Sequence, residues 1–406
     1  MTKKRLYKNI ILLLFVQFSN YIAPLLVLPY LTRVLGVEGF GIIVMAMSMT
    51  SIAMILTDFG FNLSGTYWIA NHQKHHDLVA KYIGAVVIIK ATLSVVSIGG
   101  VVLYSVLSEH AGFSYSIILA IALIILSQGF QFTWFFQGIE RMKNVTFSLV
   151  TAKLLYMLAI FMLVDGANDT AIVLYCLAGS NIISTIIGFV LLRREGYWIG
   201  IPSPSTVKDV FTSSIGFFMS RAAVGVYTSA STFIVGSMCG VHQAALYSSA
   251  EKLYQAGQGV TAPVSQALYP YLARSGDIKS LYKFVIVLII PLTMGCLFFY
   301  YYSEYVLSWF YGEEFGQAYE ILQIFLICSV INFVSVNFGY PAFSTINKLY
   351  IVNRGVYLAG VLQLCILFLL YTTGILNALN VARSVLVVEF AVMVYRIVAF
   401  QYLKSR

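Results

Sequence analysis

Charged residues are scarce in this chain of 406 residues. Asp, Glu, Lys and Arg make up 10% of the sequence, whereas a soluble domain carries about 25%. A surface so poor in charge is not kept in water, so the composition excludes an ordinary soluble globular protein. Acidic residues are the scarcer sign, because 16 Asp and Glu stand against 25 Lys and Arg, and the formal net charge is +9.

Residues that build metal, redox and catalytic sites are also sparse. The chain has five Cys, none of them in a CxxC pair and all in or beside apolar runs, which indicates packing. His72, His75 and His76 share one polar loop, but no Cys joins them, so a solvated loop is favoured over a metal site. No P-loop, HExxH, GxSxG or GxGxxG motif stands in a fitting context. The sequence therefore predicts no cofactor, no metal and no enzymatic activity.

Long apolar runs fill most of the chain instead. Hydrophobic residues make up 60% of the sequence and fall into twelve runs of about 20 residues, enough to cross a hydrocarbon core of about 30 Å. Backbone inside a bilayer must satisfy its own hydrogen bonds, so these runs are predicted to be helices. The first run has no small-residue cleavage site and is expected to be a span, not a signal peptide. The predicted spans are 10–32, 41–62, 81–107, 115–137, 146–164, 171–192, 211–238, 247–270, 283–303, 319–342, 351–371 and 377–400.

Positive charge is distributed unevenly between the loops. With the N-terminus placed in the cytoplasm, 18 of the 25 Lys and Arg fall in cytoplasmic segments or at the cytoplasmic ends of spans, six lie deeper within spans, and one, Arg33, lies in a periplasmic loop. Lys and Arg concentrate on the cytoplasmic side of membrane proteins. The pattern predicts a multi-pass protein of a bacterial inner (cytoplasmic) membrane with both termini in the cytoplasm. It also explains the net charge without a nucleic-acid partner.

Two features predict that the chain consists of two halves. The longest hydrophilic stretch, 193–210, contains Pro202 and Pro204 and lies near the middle of the chain. The segment 35–41 (LGVEGFG) is weakly repeated as 239–245 (CGVHQAA), and each segment joins the first two spans of its half. Parallel repeats are a common plan for transporters. We therefore expect an all-α polytopic membrane protein whose twelve transmembrane helices form two six-helix lobes, 1–200 and 201–406, around a central cavity.

Four cations inside predicted spans are the main candidates for a substrate site. A charge at the bilayer centre costs at least ~2.5–3.5 kcal/mol on insertion scales, so such a residue usually faces a cavity or a partner. Arg221 lies near the middle of its span, Lys90 and Lys153 lie less deep, and Lys252 is close enough to an interface to snorkel. A cationic set in both halves favours an anionic substrate in a central cavity.

A second group of charged residues is suited to coupling or gating. Glu389 is the deepest carboxylate, and Asp58, Glu251 and Arg383 lie nearer to the ends of their spans. Structural roles stay open for this group, because Asp58 can cap or snorkel, Arg383 can snorkel, and Glu389 is seven residues from Arg396 on one helix face.

Several segments resemble Wzx-type O-antigen and polysaccharide flippases, which belong to the multidrug/oligosaccharidyl-lipid/polysaccharide exporter superfamily. The segment 28–41 (LPYLTRVLGVEGFG) is similar to the first hairpin of that family, and 58–66 (DFGFNLSGT) is similar to the end of its second span. The segments 247–253 (YSSAEKL) and 262–270 (APVSQALYP) resemble its eighth span. Length, span number and predicted termini agree with the family along the whole chain.

The resemblance implies a function. Such proteins flip undecaprenyl-pyrophosphate-linked oligosaccharide from the cytoplasmic to the periplasmic leaflet by alternating access, using an ion gradient, for O-antigen and lipopolysaccharide biosynthesis. A pyrophosphate would then meet Lys90, Lys153 and Arg221, with Lys252 nearer to the exit. Membrane lipid, a polysaccharide polymerase and a chain-length regulator are the implied partners. A cation-coupled drug antiporter of the same superfamily is the alternative, although the cationic bias disfavours it; a membrane-bound polymerase is disfavoured by the short periplasmic loops.

Overall fold

The structure is a computed structural model that describes the backbone of residues 3–108, 113–346 and 348–404. Within these ranges, side chains are described except at residues 3–24, 220, 223–224, 226–229, 263–264, 266–267 and 270–271. The helices of the first part are α1 Lys3–Asp58, α2 Phe61–His72, α3 His76–Leu107, α4 Tyr115–Gly129, α5 Thr133–Gly138, α6 Met142–Leu163 and α7 Thr170–Arg194. Those that follow are α8 Pro204–Cys239, α9 Val241–Ser275, α10 Ile278–Tyr301, α11 Ser303–Tyr311, α12 Tyr319–Asn337, α13 Tyr340–Ser344, α14 Tyr350–Thr372 and α15 Ala378–Lys404.

All regular structure in the described ranges is helical, which confirms the predicted all-α class. Eight segments of the described chain are long and apolar enough to cross a membrane. Helices α8, α9 and α15, which have 36, 35 and 27 residues, are not among these eight segments of the described chain. The chain is therefore a multi-pass membrane protein, and the count of twelve spans stays a prediction.

Single glycines replace two of the predicted loops. The loop expected between residues 32 and 41 is helical except at Gly36, where φ is 68° and ψ is −178°. The equivalent loop of the second half is reduced to Gly240, with φ 89° and ψ 167°, between α8 and α9. Only glycine enters this region of positive φ without strain. The weak sequence repeat thus coincides with a repeated backbone geometry, and the two wider loops predicted from the sequence are wrong.

The chain divides into two compact units, Met1–Gly225 and Val226–Arg406, so the dividing point lies inside α8. After the glycine break, at Gly36 in one unit and Gly240 in the other, the helices of the two units follow in a similar order. A short helix, α5 in one unit and α13 in the other, is followed by two long helices in each case, and in unit 1 the first part of α8 comes after them. The predicted lobe boundary at residue 200 stays a prediction.

Loops that the sequence assigns to the same side of the membrane meet in unit 1 (Met1–Gly225). On the predicted cytoplasmic side, the hydroxyl of Tyr197 donates to the carbonyl of Gln73 at 2.7 Å. On the predicted periplasmic side, the hydroxyl of Tyr30 donates to the carbonyl of Val164 at 2.6 Å. The grouping of these loops agrees with the predicted order of crossings.

The same grouping holds in unit 2 (Val226–Arg406). The Lys404 ammonium lies 5.5 Å from the centre of the Tyr282 ring, on the predicted cytoplasmic side. On the predicted periplasmic side, the backbone N–H of Ala378 donates to Gln243 Oε1 at 3.3 Å. Which of the two sides is cytoplasmic stays a prediction from the Lys and Arg counts.

The predicted linker is a packed segment and not a free tether. After α7 the chain runs across the start of α3, where the N–H of Gly200 donates to the carbonyl of Ala80 at 2.9 Å. Gly84 lies so close that a Cβ placed on it would overlap the carbonyl oxygen of Gly200. The two glycines let the backbones approach, and this contact fixes the segment that leads into α8.

Gly84→Ala is expected to lower stability by about 1–3 kcal/mol, the usual cost of overpacking. The measurement is the thermal midpoint of the purified protein in detergent. Gly179→Ala is the matched control, since a Cβ at Gly179 meets nothing within 4 Å and alanine is the better helix former. Equal midpoints for the two variants would contradict the close contact of Gly84 with Gly200.

Candidate functional site

A buried ion pair lies at the centre of unit 1. Asp58 is the last residue of α1, and Lys90 lies in α3. The residues are 8% and 4% exposed, and Lys90 Nζ lies 3.9 Å from Asp58 Oδ1. Lys90 also donates to the carbonyl of Gly129, the last residue of α4, at 2.9 Å. Because the last carbonyls of a helix have no partner within it, the ammonium satisfies a backbone acceptor as well as the carboxylate.

Some polar atoms at the ion pair are buried but have no hydrogen-bond partner among the described residues. Among the described residues, nothing hydrogen-bonds to Asp58 Oδ2 or to the hydroxyl of Ser94, and both atoms are buried. A Cβ on Gly129 would lie 3.8 Å from Ser94 Oγ and 3.9 Å from Thr57 Oγ1, so these hydroxyls border the pair. A buried polar atom without a partner costs free energy, which makes this position suited to taking up a proton, a water or an ion.

The turn that follows Asp58 holds the first part of α8. Phe59 has a φ of 45°, uncommon for a residue with a side chain, and Gly60 follows with a φ of 77°. The Phe59 ring stacks between Phe211 and Phe218, at centroid distances of 4.7 and 4.8 Å. The turn is therefore strained but closely packed, and it connects the ion pair to α8 within unit 1.

The other two cations predicted for unit 1 do not join this pair by any described contact. Lys153 lies in α6 and is half-buried. Arg221 lies in α8 and is exposed, and no carboxylate of the described chain forms an ion pair with it. Lys90 is thus compensated by an acid while Arg221 is not. The predicted contacts of all three with substrate stay predictions.

Helix α9 carries the charged residues predicted for the start of unit 2. Its apolar face packs on α12, where the Tyr254 ring stacks on Phe325 at 5.2 Å. Another face holds Glu251, Lys252 and Gln255, and all three are half-buried. Lys252 Nζ donates to Gln255 Oε1 at 3.3 Å. Residues three and four apart lie on one face of a helix, so these side chains form a polar stripe, with Gln258 as its continuation.

Two acidic residues of unit 2, Glu251 and Glu389, accept hydrogen bonds from neutral side chains. The Thr232 hydroxyl of α8 donates to Glu251 Oε2 at 2.7 Å. The side-chain amide of Asn332 in α12 donates to both oxygens of Glu389, at 3.2 and 3.3 Å, and Glu389 is 6% exposed. Arg383 is exposed at the start of α15 and donates to Asn380 at 3.1 Å. Glu251 and Lys252 are brought together, whereas Glu389 and Arg383 have different partners.

Sequence reasoning missed most of these partners. Asn332 is an amide within the apolar run of α12, and this was the signal available in the sequence. Gln363, 1% exposed in α14, donates to Ser384 at 3.0 Å and to Ser231 at 3.4 Å, and belongs to the same missed class. Arg396 donates to the carbonyl and hydroxyl of Ser335 at 2.9 and 3.0 Å. Polar residues in the middle of apolar runs therefore mark contacts between helices here.

Related proteins were found by sequence. A protein of Escherichia coli (strain K12) described as "Putative O-antigen transporter" is 30% identical over 277 residues, which is 67% of this chain and 66% of that protein. A protein of Shigella dysenteriae with the same description is 27% identical over 339 residues, 81% of this chain and 84% of that protein. The match thus spans slightly less than two thirds of the first relative and most of the second.

The fold also resembles solved structures. The inward-facing conformation of a multidrug resistance MATE family transporter of the MOP superfamily matches with a TM-score of 0.66 at 13% identity, over 91% of this chain and 94% of that one. This likeness shows that the chain has a transporter fold of that type. The family model described as "Polysaccharide biosynthesis protein" matches residues 6–276. The chain therefore belongs to the polysaccharide biosynthesis protein family.

Proposed function

We propose that this protein flips undecaprenyl-pyrophosphate-linked oligosaccharide, an O-antigen or related repeat unit, from the cytoplasmic to the periplasmic leaflet of a bacterial inner membrane. The observation that carries the proposal is the similarity to O-antigen transporters along 81% of the chain. In this proposal two six-helix lobes alternate access to the substrate, both termini are cytoplasmic, and the cell's polysaccharide polymerase uses the product.

The polar residues of α9 support a path for a polar head group. Helix α9 has 35 residues, long enough to cross a membrane, and it carries Glu251, Lys252, Gln255 and Gln258. Charged and amide side chains do not face lipid, and in membrane proteins they line protein contacts or water-filled cavities. The half-buried residues Glu251, Lys252 and Gln255 of α9 are suited to such a cavity. A sugar–pyrophosphate can cross along this polar surface while its lipid tail stays in the bilayer.

Arg221 is the first choice for a pyrophosphate ligand. An exposed guanidinium without a carboxylate partner keeps its charge available, and its fork geometry matches phosphate oxygens. Lys153 is the second choice. Lys90 is assigned a weaker part in phosphate binding than the sequence alone indicates, because Asp58 lies 3.9 Å away.

Coupling to an ion gradient is proposed for the pair of Asp58 and Lys90. A proton or a cation that binds at Asp58 changes the net charge of a buried pair, and this shifts the balance between conformations. The strained turn at Phe59 links that change to α8. Glu389 and Glu251 are the other carboxylates proposed for coupling or gating, and Arg383 is a gating candidate near the predicted periplasmic end.

Deletion of the gene tests the proposed function. Complete lipid-linked units are expected to accumulate on the cytoplasmic leaflet, and a plasmid copy is expected to restore export. The measurement is mass spectrometry of lipid-linked sugars combined with leaflet-selective labelling. Unchanged export, together with new sensitivity to toxic cations, would contradict the flippase and favour the drug antiporter.

A further inference from the structure

A cavity of about 320 Å³ in unit 2 is lined by none of the residues discussed as a pyrophosphate or coupling site. Three segments form it: the start of α9, the start of α12 with the turn before it, and the start of α15 with the residue before it. Its lining residues are Gln243, Leu246, Gln317, Glu320, Ile321, Asn377 and Leu379. All three segments adjoin loops that the sequence assigns to the periplasm. The cavity therefore lies at the predicted exit side of unit 2.

The polar groups of the cavity are mostly uncharged amides. Gln243 Oε1 accepts from the N–H of Ala378, and Asn377 Oδ1 accepts from the N–H of Asn380 at 2.8 Å. These bonds hold both amides in place and leave their NH₂ groups free to donate. Gln317 is exposed, and its side chain has no hydrogen bond within the described chain. Both donors and acceptors are thus available around one space.

The remaining walls differ from those of an ion site. Leu246 and Ile321 are buried and supply an aliphatic surface. No Lys or Arg lines the cavity, and Glu320 disfavours an anion. One Oε of Glu320 already accepts from the Tyr319 hydroxyl at 3.1 Å. No group of three or more potential metal ligands of the His, Cys, Asp and Glu types occurs among the described residues.

We infer that this cavity binds a neutral, hydroxyl-rich ligand, a sugar ring, at the exit side. A sugar hydroxyl both donates and accepts, as an amide does, and the CH groups of the ring pack on aliphatic side chains. The volume lies at the lower end of the ~300–1,000 Å³ range of small-ligand pockets, so one ring or a small part of an oligosaccharide fits. The role as an exit subsite rests on the proposed function, whereas the binding of sugar does not.

Saturation-transfer difference NMR on the full-length protein in nanodiscs tests the inference. The probes are free glucose, galactose, rhamnose and N-acetylglucosamine at millimolar concentration. At least one sugar is expected to receive signal from the wild-type protein. The double variant Gln317→Leu, Glu320→Leu is expected to lose most of that signal, by at least about fivefold, since it removes polar partners that together are worth more than 1 kcal/mol.

The matched control is Gln323→Leu on the same helix. The Gln323 amide donates inside the protein, to Tyr300 O and Ser303 Oγ, so sugar binding is expected to persist in this variant. No transfer to any of the sugars, equal transfer in the double variant, or competition of calcium chloride for the site would each overturn the inference. If the double variant does not fold, Gln317→Ala alone replaces it. If the wild-type protein binds sugar but deletion of its gene leaves export unchanged, the proposed function is refuted and the sugar site is not.

Discussion

Replacing Lys90 with alanine is expected to remove most of the folded protein from the membrane. The substitution leaves Asp58 buried without its positive partner and leaves the carbonyl of Gly129 without its donor. Removing one member of a buried ion pair typically costs about 3–5 kcal/mol, which is a large part of the stability of most proteins. Membrane abundance on immunoblots and the thermal midpoint of the solubilised protein measure the effect.

Two further variants separate the ion pair from a general loss of packing. Lys81→Ala on the same helix removes an exposed lysine and is expected to change neither abundance nor midpoint by a measurable amount. The double variant Asp58→Asn, Lys90→Met removes both charges with similar side-chain volume and is expected to restore abundance, because paired buried charges are replaceable by neutral groups. If it restores abundance and export alike, the pair is structural, and the coupling role proposed for it is wrong.

The sequence predicted much of the helical framework, because a bilayer permits few alternatives. Apolar runs of about 20 residues must form helices there, and the structure places helices over most of each predicted span. Four predicted spans are interrupted, at residues 59–60, 130–132, 302 and 338–339. The placement of Lys and Arg predicted which loops share a side, and the contacts of Tyr197 with Gln73 and of Ala378 with Gln243 agree with that order. The loop predicted between residues 32 and 41 is wrong, because the length of the interruption in the sequence does not show that a single glycine is enough to break the helix.

A single sequence could not predict which residues the charged side chains contact. Asp58 and Lys90 are 32 positions apart, and only the packing of α1 against α3 brings them together. Asn332 and Glu389 belong to α12 and α15, which are also far apart in the chain. The depth of a charge follows from its position along a helix, whereas its partner depends on which helix faces meet. The sequence therefore included the buried charges Asp58, Lys90 and Glu389 among its candidates but did not show that each has a partner.

Arg221→Ala is expected to reduce surface polysaccharide at least about tenfold with the protein still present in the membrane, because a charge-assisted hydrogen bond to phosphate is worth about 1.5–3 kcal/mol. The Arg221 side chain is exposed and has no ion-pair partner among the described residues, so its loss costs little stability. Surface polysaccharide on gels, normalised to the amount of the protein in the membrane, is the measurement. Lipid-linked units are expected to accumulate on the cytoplasmic leaflet of the same cells.

Replacing Arg221 with lysine tests whether the contact with phosphate requires positive charge alone or also the geometry of the guanidinium. Arg221→Lys keeps the charge but loses the two-pronged geometry, so it is expected to retain an intermediate level of export. Arg354→Ala removes another exposed arginine, whose guanidinium lies 5.2 Å from the Tyr350 ring at the start of α14, and is expected to export normally. Full export by Arg221→Ala would remove the main cation from the proposed site and leave Lys153 as the next candidate in the first unit. A large defect in Arg221→Lys equal to that of the alanine variant would instead show that geometry, and not charge alone, is what the pyrophosphate requires.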